Sequence, residues 1–283
     1  MVNMVELYDK DPEYFLRDIG VTHEKFRDLL SKVIQWEGNE KDDKPMKRRG
    51  LKERKVSTEV RLLLTFRYLR HYPTFARLGA EFCISESYAH KIYHRILKIL
   101  LEIEHLGSKQ ELMNETLDTL VIDVTEQQIE RPKKGQKQYY SGKKKKHTIK
   151  VQLVISLLSL KILALVCRKG TVHDFRIFKE SKLPIHPLLK ILVDLGYQGI
   201  AKYHTNSVIP IKKKRDSVLS KEDKKFNHEL SKKRIVIENV NRRCKIFRIT
   251  KEVYRGKHKN YGMVWNVIAA LVNSRYCENL DAA

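Results

Sequence analysis

The chain has 283 residues and carries 57 Lys and Arg against 34 Asp and Glu, so its formal net charge is +23. Its hydrophobic content of 42% is enough for a folded core and excludes a disordered basic tail. The four cysteines form no Cys-x-x-Cys pair, which argues against a zinc ribbon and a disulfide framework. The excess charge predicts a polyanionic partner, nucleic acid first, although an AT-rich genome also inflates lysine content.

The sequence favours a cytoplasmic protein without a membrane partner. The most apolar stretch, residues 151–166, contains Gln152, Lys161 and two serines, and is too short and too polar to span a bilayer. The first residues carry no apolar signal core. We therefore expect a soluble protein in a reducing compartment.

Residues 1–46 form an acidic segment, with 7 Lys and Arg against 11 Asp and Glu, whereas the remainder has 50 against 23. Thr22 can cap a helix in this segment. The apolar stripe of that helix comprises Phe26, Leu29, Leu30, Val33 and Ile34. The stripe predicts docking against the basic remainder or a second subunit, with a plain surface helix as the alternative. A polar linker is expected over residues 47–56.

Residues 57–105 predict a helix-turn-helix. Ser57 caps a first helix, Thr74 begins a short second helix, and Ser85 caps a long third helix after a tight turn at Cys83. The outer face of the third helix supplies the predicted DNA-binding residues Ser87, His90, Lys91, His94, Arg95 and Lys98. A helical hairpin with a solvated charged face is the alternative, since most such turns carry glycine.

From residue 117 the pattern predicts a mixed α/β sheet covered by helices. The predicted strands are 120–123, continued beyond a turn by 127–131, then 147–157, 162–168, 191–194 and 208–211. The predicted helices are 174–182, 221–245 and 262–278.

Three carboxylates are candidates for chemistry. Asp123 and Asp194 follow apolar strands, where open α/β folds build their sites. Glu238 shares one helix face with Arg234, Arg242 and Lys245. A surface ladder of ion pairs is the alternative for that helix. If the three carboxylates converge, a hard cation must neutralise them, and two Mg²⁺ ions in such a site serve phosphodiester chemistry.

Two lysine runs are candidate clamps for a DNA backbone, with a solvated loop as the alternative. These runs are Lys143, Lys144, Lys145 and Lys146, after Tyr139-Tyr140, and Lys212 and Lys213, after a predicted strand. Asp174 stands at the start of a predicted helix, and we favour an N-cap role over a metal role for it.

These features together resemble a known family. Residues 57–105 are similar to the helix-turn-helix placed before many insertion-sequence nuclease domains. Residues 117–278 resemble the DDE transposases, in the group shared by bacterial insertion sequences and eukaryotic Harbinger elements. The motifs are Val-Ile-Asp123-Val-Thr-Glu, Tyr140-Ser-Gly-Lys-Lys-Lys-Lys-His147, Gly170-Thr-Val-His173-Asp174, Asp194-Leu-Gly-Tyr197-Gln-Gly199 and Arg234-x3-Glu238-x6-Lys245.

The resemblance implies a ribonuclease-H-like catalytic domain over residues 117–283, with Asp123, Asp194 and Glu238 as catalytic residues and metal ligands. Two Mg²⁺ ions are implied, with Mn²⁺ as a substitute, and Arg234, Arg242 and Lys245 would hold phosphates. The expected partners are double-stranded DNA of the terminal inverted repeats and of the target, and further copies of the chain in a homodimer or higher oligomer on the bacterial nucleoid.

The expected activity is cleavage at the ends of an insertion sequence followed by strand transfer. Two rivals stay open at this point. One is a DNA-binding regulator descended from such an enzyme. The other is a ribonuclease-H-like repair or junction nuclease, which would need no terminal repeats.

Overall fold

The computed structural model describes residues 11–42, 56–114, 119–213 and 218–280. Its contacts divide the chain into two compact units. The N-terminal unit contains the residues up to His105 together with Lys245–Lys251 and Met263–Arg275, and the remaining residues form the sheet unit. Two C-terminal segments thus group with the N-terminal helices, so the division does not follow chain order. The predicted linker lies almost wholly outside the described residues.

The N-terminal unit is built from helices. They are α1 (Pro12–Ile19), α2 (His23–Asp42), α3 (Thr58–His71), α4 (Phe75–Glu81) and α5 (Glu86–Ile103). The predicted caps are confirmed, because the side-chain oxygens of Thr22, Ser57, Thr74 and Ser85 each accept a hydrogen bond from the backbone N–H three residues later.

The tight connection between α4 and α5 depends on Gly79, a residue inside α4. A Cβ on Gly79 would lie 2.7 Å from the backbone oxygen of Ile84, so only glycine lets α4 approach the turn this closely. Cys83 occupies the turn itself in the left-handed conformation, with φ of 54°. Such turns usually carry the glycine themselves, whereas here the glycine lies in the preceding helix.

The apolar stripe of α2 packs inside its own unit. Phe26, Leu29 and Val33 are all 2% exposed or less, and the Phe26 ring centroid lies 6.0 Å from that of Phe66 on α3. This packing agrees with the first predicted alternative, docking against the rest of the chain, so Phe26, Leu29 and Val33 are not available for self-association, whereas Ile34 is 54% exposed. The helical period shows that a face is buried, but it does not say which surface covers that face.

The sheet unit has six strands. They are β1 (Thr119–Gln128), β2 (Tyr140–Ser141), β3 (Lys146–Ser156), β4 (Ile162–Lys169), β5 (Lys190–Leu192) and β6 (Ser207–Val208). Central strand β1 pairs antiparallel with β3 and parallel with β5. β4 pairs with β3, and β6 pairs with β5. β1 is longer than predicted and β6 is shorter, because neighbouring-strand hydrogen bonds set their ends.

The helices that follow the strands are α6 (Asp174–Ser181), α7 (Lys221–Cys244) and α8 (Tyr261–Leu280). One sheet face packs against α6 through a cluster that includes Ile122, Ile191 and Phe178. The mixed sheet with its helices confirms the predicted α/β, ribonuclease-H-like class. No helix in the described ranges is both long and apolar enough to cross a membrane.

Candidate functional site

Asp123 lies on β1, and Asp194 lies two residues after the end of β5, the parallel neighbour of β1. β1 and β5 are in register through Leu120 with Ile191 and Val121 with Leu192. Continuing this register by two residues sets Asp194 beside Asp123. The predicted convergence of these two carboxylates therefore agrees with the register, whereas the prediction that a strand ends at Asp123 is wrong, because β1 continues to Gln128.

The surroundings of Asp123 disfavour the charged form of its carboxylate. Burial raises its pKa to about 6, and the carboxylates of Asp194 and Asp174 act in the same direction. Opposing them are the backbone N–H of Val124 and the guanidinium of Arg234, whose Nη2 lies 3.8 Å from Oδ1 of Asp123. The single arginine does not compensate for burial and two like charges, so the pKa of Asp123 stays above its ordinary value.

Asp194 is fixed by the turn that follows it. Its Oδ1 accepts a hydrogen bond of 2.9 Å from the backbone N–H of Gly196, which caps the 3₁₀ turn Leu195–Tyr197. Tyr197 is completely buried, and burial together with the charges of Asp123, Asp174 and Asp194 raises the pKa of its hydroxyl far above the usual value. The protonated hydroxyl donates to Oε1 of Gln152 at 3.4 Å, so Tyr197 anchors the loop that carries Asp194.

Asp174 is not the N-cap of α6. That position belongs to His173, and Asp174 is the first helical residue. Its Oδ1 accepts a hydrogen bond of 2.9 Å from Nζ of Lys150, which also donates to the backbone oxygen of Val172 at 2.9 Å. The predicted cap role is therefore wrong by one position. The sequence patterns did not predict a role for Lys150, although a lysine inside the apolar strand β3 is a signal that it has a buried partner.

Glu238 stands apart from the aspartates. It is exposed on α7, while Arg234, one turn earlier, has a side chain only 19% exposed and lies beside Asp123. Within the described ranges, no three His, Cys, Asp or Glu side chains are grouped closely enough to hold a metal ion together. The structure thus brings Asp123, Asp194, Asp174 and Arg234 near one another but not Glu238, whose role stays a prediction.

The basic residues predicted to hold DNA are mainly on the surface. Lys143, Lys144 and Lys145 lie in the exposed turn between β2 and β3, Lys146 is the exposed first residue of β3, and Lys212, Lys213 and Arg242 are also exposed. Lys245 is half-buried and follows the end of α7 at Cys244, so it does not share the helix face that the sequence predicted.

The residues predicted to form the recognition face of α5 fall into two groups, those that are exposed and those that contact other side chains of the protein. Its exposed residues are Ser87, His90, Lys91 and Lys98, whereas His94 is half-buried with its ring 4.3 Å from that of His90. Arg95 turns towards α2, where its guanidinium lies 5.9 Å from the Trp36 ring and its Nε is 3.5 Å from Glu37. These contacts give Arg95 a structural partner within its own unit.

The raised pKa of Asp123 makes a prediction about stability. Because the folded state holds the proton up to pH about 6, against the usual 3.8, folding becomes less favourable as the pH rises through this interval. Asp123→Asn removes that penalty. We expect the free energy of unfolding of the metal-free protein to increase by about 2–3 kcal/mol above pH 6, and to change little below pH 4. Urea unfolding in the presence of a chelator, from below pH 4 to above pH 6, measures this change in the free energy of unfolding.

The matched control is Asp28→Asn on the surface of α2, which should show no such gain above pH 6. An Asp123→Asn variant that is equally or less stable than the wild-type protein at pH 7 would contradict the proposal that the charge of Asp123 destabilises the folded state.

Comparisons with known proteins agree with this geometry. The family model described as "DDE superfamily endonuclease" matches residues 122–273, and "Helix-turn-helix of DDE superfamily endonuclease" matches residues 54–102. The chain is also 40% identical over 263 residues to the "Probable transposase for insertion sequence element IS702" of Microchaete diplosiphon, covering 92% of this chain and 93% of that protein.

The comparisons settle one alternative from the sequence. The helical hairpin over residues 57–105 is excluded, because the matched family carries a helix-turn-helix there. The predicted relation to Harbinger elements is not addressed by these matches and stays a prediction.

Proposed function

Since this chain belongs to the DDE superfamily of endonucleases, we propose that it binds the terminal inverted repeats of its own insertion sequence and catalyses magnesium-dependent cleavage and strand transfer there. It is an insertion-sequence transposase with a helix-turn-helix region and an endonuclease domain. The observation that carries the finer proposal is the register of β1 with β5, which, continued by two residues, sets Asp194 near Asp123 and Arg234.

The donor set suits a divalent cation. DDE endonucleases generally use divalent metal ions. Carboxylate oxygens are the ligands that Mg²⁺ prefers, and the burial and crowding that raise the pKa of Asp123 are relieved by added positive charge. We propose that Asp123 and Asp194 would hold two Mg²⁺ ions, with Mn²⁺ as a substitute, and that Glu238, which is exposed and apart from the aspartates in this structure, would be the third ligand. When bound, these ions supply Lewis acidity for the attacking and leaving oxygens of the phosphodiester.

The protein's own groups would orient the DNA. Arg234 lies beside Asp123, and we propose that it binds a phosphate oxygen of the strand that is cut. The fixed turn after Asp194 keeps that carboxylate in one position. We further propose backbone contacts from the exposed lysines, Lys143, Lys144, Lys145, Lys146, Lys212 and Lys213, and from Arg242 and Lys245.

Recognition of the repeats is assigned to the exposed face of α5. We predict that Lys91→Ala weakens binding to end DNA by about 1–3 kcal/mol if its ammonium contacts a base edge. Fluorescence anisotropy at fixed salt measures the loss. Arg27→Ala on α2 removes the same charge from an exposed position and serves as the control. Equal affinity of Lys91→Ala and wild-type protein would refute this placement.

We also propose that the working form is a homodimer or higher oligomer on DNA, located at the bacterial nucleoid. A single site with one aspartate pair serves one scissile phosphate, whereas an insertion sequence has two ends. Because Phe26, Leu29 and Val33 of the α2 stripe are buried within the chain, another surface or the DNA itself would join the copies.

The deciding experiment uses linear DNA that carries the inverted repeats flanking this reading frame, with scrambled repeats as the matched substrate. We expect cleavage and strand transfer at the native ends only, in magnesium and not in a chelator. Cleavage independent of the repeats would favour a repair or junction nuclease. Binding without cleavage would favour a regulator.

A further inference from the structure

The segment that joins β4 to α6 is held against β3 by hydrogen bonds that the proposed catalysis leaves unexplained. The backbone N–H of Gly170 donates to the backbone oxygen of Thr148 at 3.0 Å, and only glycine at this position leaves room for the Thr148 side chain. Nζ of Lys150, two residues further along β3, donates to the backbone oxygen of Val172 and to Oδ1 of Asp174, both at 2.9 Å. Lys150 therefore supplies the charged contact that fixes this segment.

The ammonium of Lys150 is in a place that disfavours an unpaired cation. Its side chain is 15% exposed, and its neighbours along β3, Ile149 and Val151, are buried. Burying a charge is costly unless the charge is paired. The ammonium also lies at the first residue of α6, where the helix dipole repels positive charge. The carboxylate of Asp174 is therefore needed to keep the ammonium there.

Lys150 and Gln152 lie on one face of β3 and hold two neighbouring segments. Lys150 binds the start of α6, whereas Oε1 of Gln152 accepts a hydrogen bond of 3.4 Å from the hydroxyl of Tyr197, in the loop that follows β5. The ring centroid of Phe175, the second residue of α6, lies 6.3 Å from that of Tyr197. The start of α6 and the loop after β5 thus lie side by side.

This arrangement adds a third negative charge to the neighbourhood of Asp123 and Asp194. The side chain of Asp174 is half-buried, and its charge contributes to the raised pKa of Asp123. A carboxylate whose charge is not neutralised is a strong ligand for a divalent cation. Without Lys150, Asp174 would therefore compete with the two aspartates for the same metal ions.

We propose that Lys150 is a positioning residue, whose ammonium fixes Asp174 and neutralises its charge, so that Asp174 does not bind the metal ions that Asp123 and Asp194 would hold. The proposal rests on the proposed function, since it concerns the same metal site. Binding by Asp174 would displace a metal ion from the scissile phosphate, and a displacement of about 1 Å can cost about 100-fold in rate.

Two other roles for Lys150 lead to different results. If it only anchored α6, its loss would not tighten metal binding, and a second change at Asp174 would not restore cleavage. If its ammonium bound a DNA phosphate, its loss would weaken DNA binding and leave the affinity for metal unchanged. The two protein contacts and the low exposure of Lys150 favour the positioning role over a phosphate contact.

The test titrates the full-length protein with Mn²⁺ in the absence of DNA and records the electron paramagnetic resonance signal of the free ion. In Lys150→Met, we expect Mn²⁺ to bind on the order of tenfold more tightly, because a unit positive charge near the aspartates is lost and Asp174 is free to bind the ion. Cleavage of end DNA by the same variant should fall by about 100-fold.

The double variant Lys150→Met/Asp174→Asn separates positioning from anchoring. It removes both charges, so its affinity for Mn²⁺ should return to within a few-fold of wild type, and it should cleave at least about tenfold faster than Lys150→Met. Lys161→Met is the matched control, because Lys161 is a half-buried lysine in the turn between β3 and β4, and it should change neither measurement.

Unchanged affinity for Mn²⁺ in Lys150→Met, or a double variant as defective as Lys150→Met, would overturn the positioning role alone, provided that wild-type protein cleaves native ends. Wild-type protein whose affinity for Mn²⁺ is not reduced by Asp123→Asn would contradict the proposed metal site instead. Thermal unfolding shows whether each variant is folded. Lys150→Gln, which keeps a hydrogen-bond donor without the charge, replaces Lys150→Met if the latter does not fold.

Discussion

Asp123→Asn, Asp194→Asn and Glu238→Gln should each reduce cleavage of end DNA by more than about a hundredfold, while binding to the repeats stays within a few-fold of wild type. Each change keeps the size of the side chain and removes the negative charge that a divalent cation needs. Repeat binding is assigned to the separate N-terminal unit, so it should survive. Gel assays of cleavage and strand transfer, with anisotropy for binding, measure the two effects separately.

The control for Glu238 lies on the same helix. Glu222 is exposed in the first turn of α7, and Glu222→Gln should leave cleavage unchanged. Substantial strand transfer by a neutral variant of either aspartate would refute the site.

Comparing cleavage by Asp174→Asn with cleavage by Glu238→Gln identifies the third carboxylate of the site. The charge of Asp174 already acts on Asp123 in this structure, whereas Glu238 is exposed. If Asp174→Asn abolishes cleavage and Glu238→Gln does not, the third carboxylate is Asp174.

Local patterns were sufficient to predict the elements that build the site. The caps at Thr74 and Ser85 depend on residues three positions apart, so the sequence contains the whole interaction. The pairing of β3 with β4 follows from two alternating runs joined by a short turn. Asp123 and Asp194 could be placed at one sheet edge because each follows an apolar run typical of a buried strand.

Contacts between distant segments could not be predicted in the same way. The buried stripe of α2 was visible, but its partner on α3 was not, since periodicity carries no information about the opposite surface. Lys150 and Asp174 are 24 residues apart and meet only because β3 and α6 are packed together. Arg95 has the spacing of an outer-face residue, yet Trp36 and Glu37 draw it towards α2.

Glu37 is the clearest example of a residue whose partners lie on distant segments and could not be predicted from the sequence. It is 5% exposed on α2 and receives two hydrogen bonds of 2.7 Å from the guanidinium of Arg61, which is 4% exposed on α3. Nε of Arg95 on α5 lies 3.5 Å from the same carboxylate, and Oγ1 of Thr58 donates to it at 3.1 Å. One carboxylate therefore connects three helices, including the helix assigned to DNA recognition.

Glu37→Ala should lower the free energy of unfolding of the protein by about 3–5 kcal/mol, because it leaves the Arg61 guanidinium buried without this carboxylate. Urea unfolding followed by circular dichroism measures the loss. Glu24→Ala, at an exposed position in the first turn of the same helix, should change stability by less than about 0.5 kcal/mol. In buffer without urea, where the Glu37→Ala variant is still folded, its affinity for end DNA should also fall. The reason is that Arg95 loses one of the contacts that hold α5 to α2. If Glu37→Ala and Glu24→Ala prove equally mild, the buried pair does not organise the recognition unit, and the outer face of α5 must be positioned by its apolar contacts alone.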